Sequence, residues 1–259
     1  MKLLIKIGGT LLDHAETRDT LAAELSEIAR QHQLVIVHGG GKQMTRYLEE
    51  RGIESRFVDG LRVSDEAVIQ TAVKIIAGSV NKQLVSALLS TGQSPVGLSG
   101  VDGRLTSVEQ LDPDLHFVGR PTRTEGRLLE LLVESGYLPV IACLAADSRG
   151  QIYNVNADQM AVSCALGWDA DKLLFLTDVD GVKDGQGRLI ATLSPEEIEE
   201  LIESGVATAG MRAKLDAAAA ALRGGLEEIV IASGHQPAIC RRALSGEAFA
   251  TRLYAPVCS

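Results

Sequence analysis

The 259 residues carry 25 Lys and Arg against 34 Asp and Glu, a net charge of -9, and 46% of them are hydrophobic. That balance speaks against a binder of nucleic acid or of an anionic membrane, whose affinity rests on a surplus of basic side chains, while the apolar share fills one large α/β domain or two smaller lobes. The cysteines Cys143, Cys164, Cys240 and Cys258 include no C-x-x-C pair, which argues against a zinc site or disulfide framework and for a reducing cytoplasm; no apolar run reaches the roughly 18 residues of a membrane span.

In chain order, residues 3–7 form an apolar run that contains Lys6 and ends at Gly8-Gly9, followed by a helical pattern over 18–31. A second run, 34–37, leads through His38 into a bare Gly39-Gly40-Gly41 and a helix over 42–51. Gly60-Leu61-Arg62 precedes a long helical pattern over 65–90, and a third run covers 96–98. The polar stretch 100–121 reads as a hairpin or lid. Helix 126–135 and strand 138–142 follow, and residues 144–151 mark a weak boundary between halves 1–145 and 146–259. The second half gives helix 157–166, strand 172–176, a turn-rich stretch 181–188 with Asp184-Gly185 and Gln186-Gly187, helix 195–203, helix 211–223 and strand 229–232. Ser194-Pro195-Glu196-Glu197 supplies an N-cap, a proline at N1 and a capping-box glutamate, and Gly224-Gly225 supplies a stop. Unbroken apolar runs alternating with helices predict a three-layer α/β fold whose sheet is covered on both faces.

The familiar phosphate templates are missing: there is no G-x-x-x-x-G-K-[ST], no G-x-G-x-x-G and no H-E-x-x-H. What remains is a set of local positive features. A charge inside run 3–7 is costly unless Lys6 leaves the strand's end toward an anion; a snorkelling edge lysine is the alternative, and Gly8-Gly9 tips the balance toward the anion. Glycine turns leading into helices suit phosphate or carboxylate, because no side chain blocks the backbone amides. Lys214, after Gly210-Met211, is a second such lysine. Asn154, Asn156 and Asp158 surround a helix start, where one of them caps it and Asp158 is suited to pair with lysines facing a phosphate. Arg62 has the fork that recognises a carboxylate, or else forms a surface ion pair with Asp65 or Glu66. The segment from Thr177 through Asp178 to Gly181 is a loop after a strand, and His38 reads as a hydrogen-bonded turn residue rather than an acid or ligand.

The ordered set Lys6-Ile7-Gly8-Gly9, Val37-His38-Gly39-Gly40-Gly41, Gly60-Leu61-Arg62-Val63, Val80-Asn81-Lys82, 97–103, 136–140, Asn154-Val155-Asn156-Ala157-Asp158-Gln159, 176–182 and Gly210-Met211 with Lys214 resembles the amino acid kinase family, and within it the branch that acts on N-acetyl-L-glutamate in arginine biosynthesis. The resemblance implies a three-layer αβα sandwich around a mainly parallel sheet of about eight strands. It implies an N-terminal lobe, 1–145, for acetylglutamate and a C-terminal lobe, 146–259, for ATP with Mg2+, for which no side-chain ligand is assigned. Lys6 and Lys214 would stabilise the transferring phosphoryl group and Asp158 would orient them. Gly8 and Gly9 would contact the phosphates; Gly40 and Gly41, through their backbone, with Arg62 and Asn154 would bind the acceptor; Thr177, Asp178, Gly181, Thr208, Gly210 and Met211 would line the nucleotide site. Lys42 and Ala209 depart from the family pattern and leave rim contacts open. A kinase for carrier-linked aminoadipate and a catalytically silent metabolite binder are the rival readings. Arginine-regulated relatives carry a helix ahead of the first strand, whereas Met1 here abuts it, so the expectation is a homodimer through 65–90 without arginine feedback.

Overall fold

Unbroken hydrophobicity becomes six adjacent strands of an eight-stranded sheet. The computed structural model describes residues 1–207, 209–247 and 250–255. Its main sheet contains β1 (Lys2–Ile7), β2 (Gln33–His38), β3 (Pro95–Ser99), β4 (Leu138–Ala142), β5 (Lys172–Thr177), β6 (Thr192–Leu193), β7 (Glu228–Ser233) and β8 (Ala250–Tyr254). The spatial order is β6-β8-β7-β5-β1-β2-β4-β3, and every neighbouring pair is parallel except β7 with β8. The chain therefore leaves β1 toward β2 on one side, while β5 pairs with its other side. Such a switch in direction opens a crevice at the carboxyl ends of the strands.

The helices are α1 (Ala15–Ala29), α2 (Gly41–Glu49), α3 (Glu66–Ala72), α4 (Asn81–Leu89), α5 (Arg127–Glu134), α6 (Ala157–Gly167), α7 (Pro195–Glu203), α8 (Ala209–Arg223) and α9 (Ile239–Ser245). Strand alternation sorts them into two layers. Leu3, Ile5 and Ile7 of β1 face the core layer shared with α1, α4 and α9, and Leu4 faces the layer built with α2, α3, α6 and α8. The predicted helix over 65–90 is a single run in which a π-helical stretch, Val73–Val80, joins α3 to α4. By length and composition the run Glu66–Ser90 could cross a bilayer. Here α3 buries Val68, Ile69 and Ala72 in one core layer and α4 buries Leu84, Ala87 and Leu88 in the other.

The polar stretch at 100–121 yields antiparallel strands Thr106–Gln110 and Val118–Thr124. They close with Leu144–Ala146 and Ile152–Val155 into a small four-stranded barrel, so residues 144–151 belong to one of its hairpins. In the other turn-rich stretch Asp184 Oδ1 accepts from Gln186 N and Arg188 N, both at 2.9 Å, and Lys183 bridges Leu189. The Ser194 capping box is present as the sequence predicts, and α8 stops before Gly225, whose φ of +103° favours glycine.

Candidate active site

Period-two alternation puts Lys6 on the same face as Leu4, the face covered by α6 and α8. Asn156 caps α6, its side chain accepting from Asp158 N at 2.8 Å and Gln159 N at 3.2 Å, and so fixes the first helical turn. Asp158 then meets both lysines. Lys6 Nζ lies 2.8 Å from Asp158 Oδ1, an ionic contact without hydrogen-bond alignment, and Lys214 Nζ donates to Asp158 Oδ2 at 2.9 Å. The three side chains are only 9%, 7% and 10% exposed for Lys6, Lys214 and Asp158, so this is a buried cluster with one positive charge in excess. Burial pushes the Asp158 carboxyl up, and Lys6 and Lys214 overcome it and hold it at about 2. Burial, with the like charge of Lys6 adding to it and Asp158 opposing, lowers Lys214 to about 8. The Lys214 ammonium also sits 4.9 Å from the centre of the Phe175 ring.

Two glycine turns converge beside this cluster. Gly8 N donates to Leu176 O at 2.8 Å, and Gly39 N donates to Ile7 O at 3.2 Å, tying the ends of β5, β1 and β2 together. A Cβ on Gly9 would lie 3.1 Å from Gly40 N and 3.2 Å from Gly41 N, so the turns approach through backbone alone. Helix α2 begins at this point with no side-chain cap, which leaves its first amides for a ligand.

Gly40, Gly41, Arg62 and Asn154, predicted to bind the acceptor, line one cavity of about 170 Å³. Arg62 is buried and its partners are neutral: Nη2 donates to Thr45 Oγ1 at 2.7 Å and to Gly41 O at 3.1 Å, Nη1 donates to Ser55 Oγ, and the guanidinium stands 4.5 Å from the centre of the Phe57 ring. Burial lowers its pKa, with Glu49 opposing. Asp65 instead caps α3, accepting from Val68 N at 3.0 Å, so the surface-ion-pair alternative gives way to a buried fork. Asn154 Nδ2 donates to Ser64 Oγ at 3.1 Å.

Gly181 and Met211 line a second cavity of about 220 Å³ with Val179, Val182, Leu201 and Ala207. Thr177 ends β5 beside Gly8, its hydroxyl donating to Asp178 Oδ1 at 3.2 Å, and Gly210 is exposed in the first turn of α8. Thr208 lies outside the described residues. Sequence reasoning missed the hairpin of Phe57–Val58 and Leu61–Arg62 that carries Arg62. Its signal is Asp59-Gly60, with φ of +49° and +79°, the residue pair that suits a two-residue turn with both φ positive. Thr45, Ser55 and Ser64 were missed because only tertiary closure brings them to Arg62 and Asn154.

Residues 1–233 match the Amino acid kinase family. The chain is 52% identical over 254 residues to the acetylglutamate kinase of Solibacter usitatus, covering 98% of this chain and 99% of that one, and 42% identical over 240 residues to the acetylglutamate kinase of Roseobacter denitrificans, covering 92% and 83%. Among solved structures, N-acetylglutamate synthase from Neisseria gonorrhoeae, complexed with coenzyme A and N-acetyl-glutamate, superposes with a TM-score of 0.87 at 26% identity; the match covers 97% of this chain and 59% of that one. Giardia carbamate kinase shares the fold, with a TM-score of 0.73 at 17% identity over 98% of each chain. Since the matched region spans Lys6, Asp158 and Lys214 together with both glycine turns, the chain belongs to the amino acid kinase family.

Proposed function

We propose that the protein catalyses ATP-dependent phosphorylation of the side-chain carboxylate of N-acetyl-L-glutamate, giving N-acetyl-L-glutamyl 5-phosphate and ADP in arginine biosynthesis. The observation that carries this reading is the pair of ammonium groups, from β1 and α8, meeting on Asp158. Support also comes from the full-length similarity to acetylglutamate kinases. The acceptor carboxylate, with a reference pKa of about 4.3, is already ionised at neutral pH and needs no general base. Its oxygen forms a bond to the γ-phosphorus while the bond to the β-phosphate oxygen breaks, and the electron pair leaves with ADP. Repulsion is the obstacle: two like unit charges 4 Å apart cost roughly 4 kcal/mol at an effective dielectric near 20. Lys6 and Lys214 offset that repulsion, Asp158 holds them in place, and the amide of Gly9 faces the phosphates, while that of Gly8, expected to do the same, is already committed to Leu176 O. Arg62 and Asn154, with Gly40 and Gly41, hold the acceptor, and the cavity at Gly181 and Met211 takes the nucleotide.

Magnesium fits as an ion carried on the nucleotide. Both Asp158 oxygens face ammonium groups, so Asp158 is not offered to the ion, and we assign no side chain to hold it. Magnesium is commonly held by substrate phosphates and water, and when bound it neutralises phosphate charge. In this reading residues 1–145 supply most of the acceptor lobe and 146–259 most of the nucleotide lobe of one domain, with Asn154 crossing from the second half to the acceptor cavity. The buried thiols of Cys143, Cys164 and Cys240 are free, which suits a reducing cytoplasm. We further assign a homodimer joined through the apolar run Glu66–Ser90; light scattering at the mass of a single chain would refute it.

The deciding experiment supplies ATP with either acetylglutamate or carrier-bound aminoadipate and traps acyl phosphate with hydroxylamine. Hydroxamate from acetylglutamate is expected. Turnover of the carrier-bound substrate alone would transfer the assignment to the aminoadipate kinase, and binding of both ligands without hydroxamate would make the protein a silent binder.

A further inference from the structure

Between the triple-glycine turn and α4 lies a buried polar chain that the chemistry above does not use. His38, fully buried at the end of β2, places Nδ1 2.8 Å from Gly39 O and Nε2 3.0 Å from Asn81 Nδ2. Asn81 Nδ2 also lies 2.9 Å from Val140 O, and Asn81 Oδ1 lies 3.0 Å from Lys82 Nζ. A carbonyl only accepts and an ammonium only donates, so these two contacts fix which end of the amide is nitrogen. The second amide proton then goes to His38 Nε2. That leaves the imidazole proton on Nδ1, where it is donated to the Gly39 carbonyl. Burial lowers His38 to about 4, with the Gly39 bond opposing and the Lys82 charge adding to the shift, so the ring is neutral and a poor proton carrier near pH 7.

The peptide group is planar, so holding the Gly39 oxygen sets the direction of the Gly40 N–H. Two further observations tighten the same point. A Cβ on Gly40 would lie 3.3 Å from Ile76 Cγ1 and 3.4 Å from Val80 Cγ2, so the π-helical stretch Val73–Val80 backs this glycine directly. A Cβ on Gly97 would lie 2.1 Å from Asn81 Oδ1 and 2.4 Å from Lys82 Nζ, so β3 leaves room for the relay only because this residue is glycine. A helix turn with an extra residue re-aims the side chains around it and is frequent at functional sites.

We infer that His38 and Asn81 are positioning residues that aim the Gly40 amide into the acceptor cavity, with Lys82 and Gly97 fixing the relay. The inference rests on reading that cavity as the acetylglutamate site. His38→Leu and Asn81→Leu remove the relay, whereas His38→Asn keeps an N–H donor near the place of Nδ1. Calorimetry with acetylglutamate and, separately, with a non-hydrolysable ATP analogue should show the two leucine variants weakening acetylglutamate about tenfold to a hundredfold, with the nucleotide changed less than about twofold. His38→Asn should stay within about threefold of the parent. Lys82→Met, altered at the relay's outer end, should weaken acetylglutamate about threefold and serves if Asn81→Leu does not fold. Parallel loss of both ligands in step with Tm, a fall in kcat at unchanged acetylglutamate affinity, or His38→Asn as damaging as His38→Leu would each overturn the assignment. Parent protein that binds no acetylglutamate would defeat the functional reading itself, a result distinct from a parent that binds and variants that match it.

Discussion

Lys6 and Lys214 share one buried carboxylate, whereas Arg62 is held by neutral oxygens and an aromatic ring. In the first region one carboxylate offsets only one of two positive charges, and the excess is soft: Lys214 is lowered to about 8, so its proton depends on the anions that arrive. In the second region the charge is permanent, because guanidinium keeps its proton at any physiological pH, and geometry is what the neutral partners fix. The difference assigns separate tasks. The lysine cluster should govern the rate of a step that moves negative charge, and the arginine should govern how well a carboxylate is seated.

The sharpest way to break that division is Lys214→Ala. Losing one donor that strengthens as charge develops typically costs a hundredfold to a thousandfold in rate, so kcat should fall by about that much while the Kd of ATP shifts only a few-fold. Equal losses in both would mean that the lysine merely binds nucleotide. The counterpart is Arg62→Lys, which keeps the charge but loses the planar fork; the acetylglutamate KM should rise about tenfold or more, with kcat within about threefold. A matching collapse of kcat would erase the distinction between the two regions.

A pH profile sharpens the comparison further. In the free enzyme Lys214 loses its proton as pH rises through about 8, so kcat/KM should decline up to about tenfold per unit above that point. The kcat profile should stay flat to higher pH, because bound phosphates favour the charged ammonium. Unfolding does not mimic this. The folded pKa of Lys214 lies below its ordinary 10.5, so between about 8 and 10.5 the unfolded chain binds the extra proton and this group's cost to stability eases as pH rises. Asp158 acts at the other end of the scale: its depressed carboxyl contributes stability above its ordinary 3.8 that is lost as pH falls toward about 2. A kcat/KM profile flat across the alkaline range would remove Lys214 from the charged machinery.

How much of this could be read from sequence follows from burial. Six of the eight strands announce themselves as unbroken apolar runs, five because both faces of the inner sheet are covered and the sixth, β3, although it lies at an edge. The remaining two do not: β6 has only two residues, and β8, Ala-Thr-Arg-Leu-Tyr, mixes polar with apolar positions beside the edge. Lys6 was legible because an ammonium inside an apolar strand demands a partner, and Asp158 stood at the helix start most able to supply one. The environment of Arg62 was not, because Ser55 and Thr45 reach it only when the Asp59-Gly60 hairpin folds over α2. The relay from His38 to Asn81 was hidden for a related reason: the sequence marks His38 as a turn residue, but nothing local indicates a π-helical stretch that would swing an asparagine onto it.

The smallest effect expected concerns the scaffold beneath the lysine cluster. Asn156→Ala removes the cap of α6 and should cost about 1 kcal/mol, visible as a fall in Tm of roughly 2–4 °C for a domain of this size. The two ion pairs still hold Asp158, so kcat should move less than about threefold. Asn156→Asp restores an accepting cap, and with it the stability, but sets a second carboxylate near the locus where negative phosphate is expected. Its Tm should match the parent while the KM of ATP rises several-fold at low salt, because like charges repel there. If both variants lost stability and activity in proportion, the helix start would be supporting the fold alone, and the excess positive charge of the cluster would not be what draws the nucleotide in.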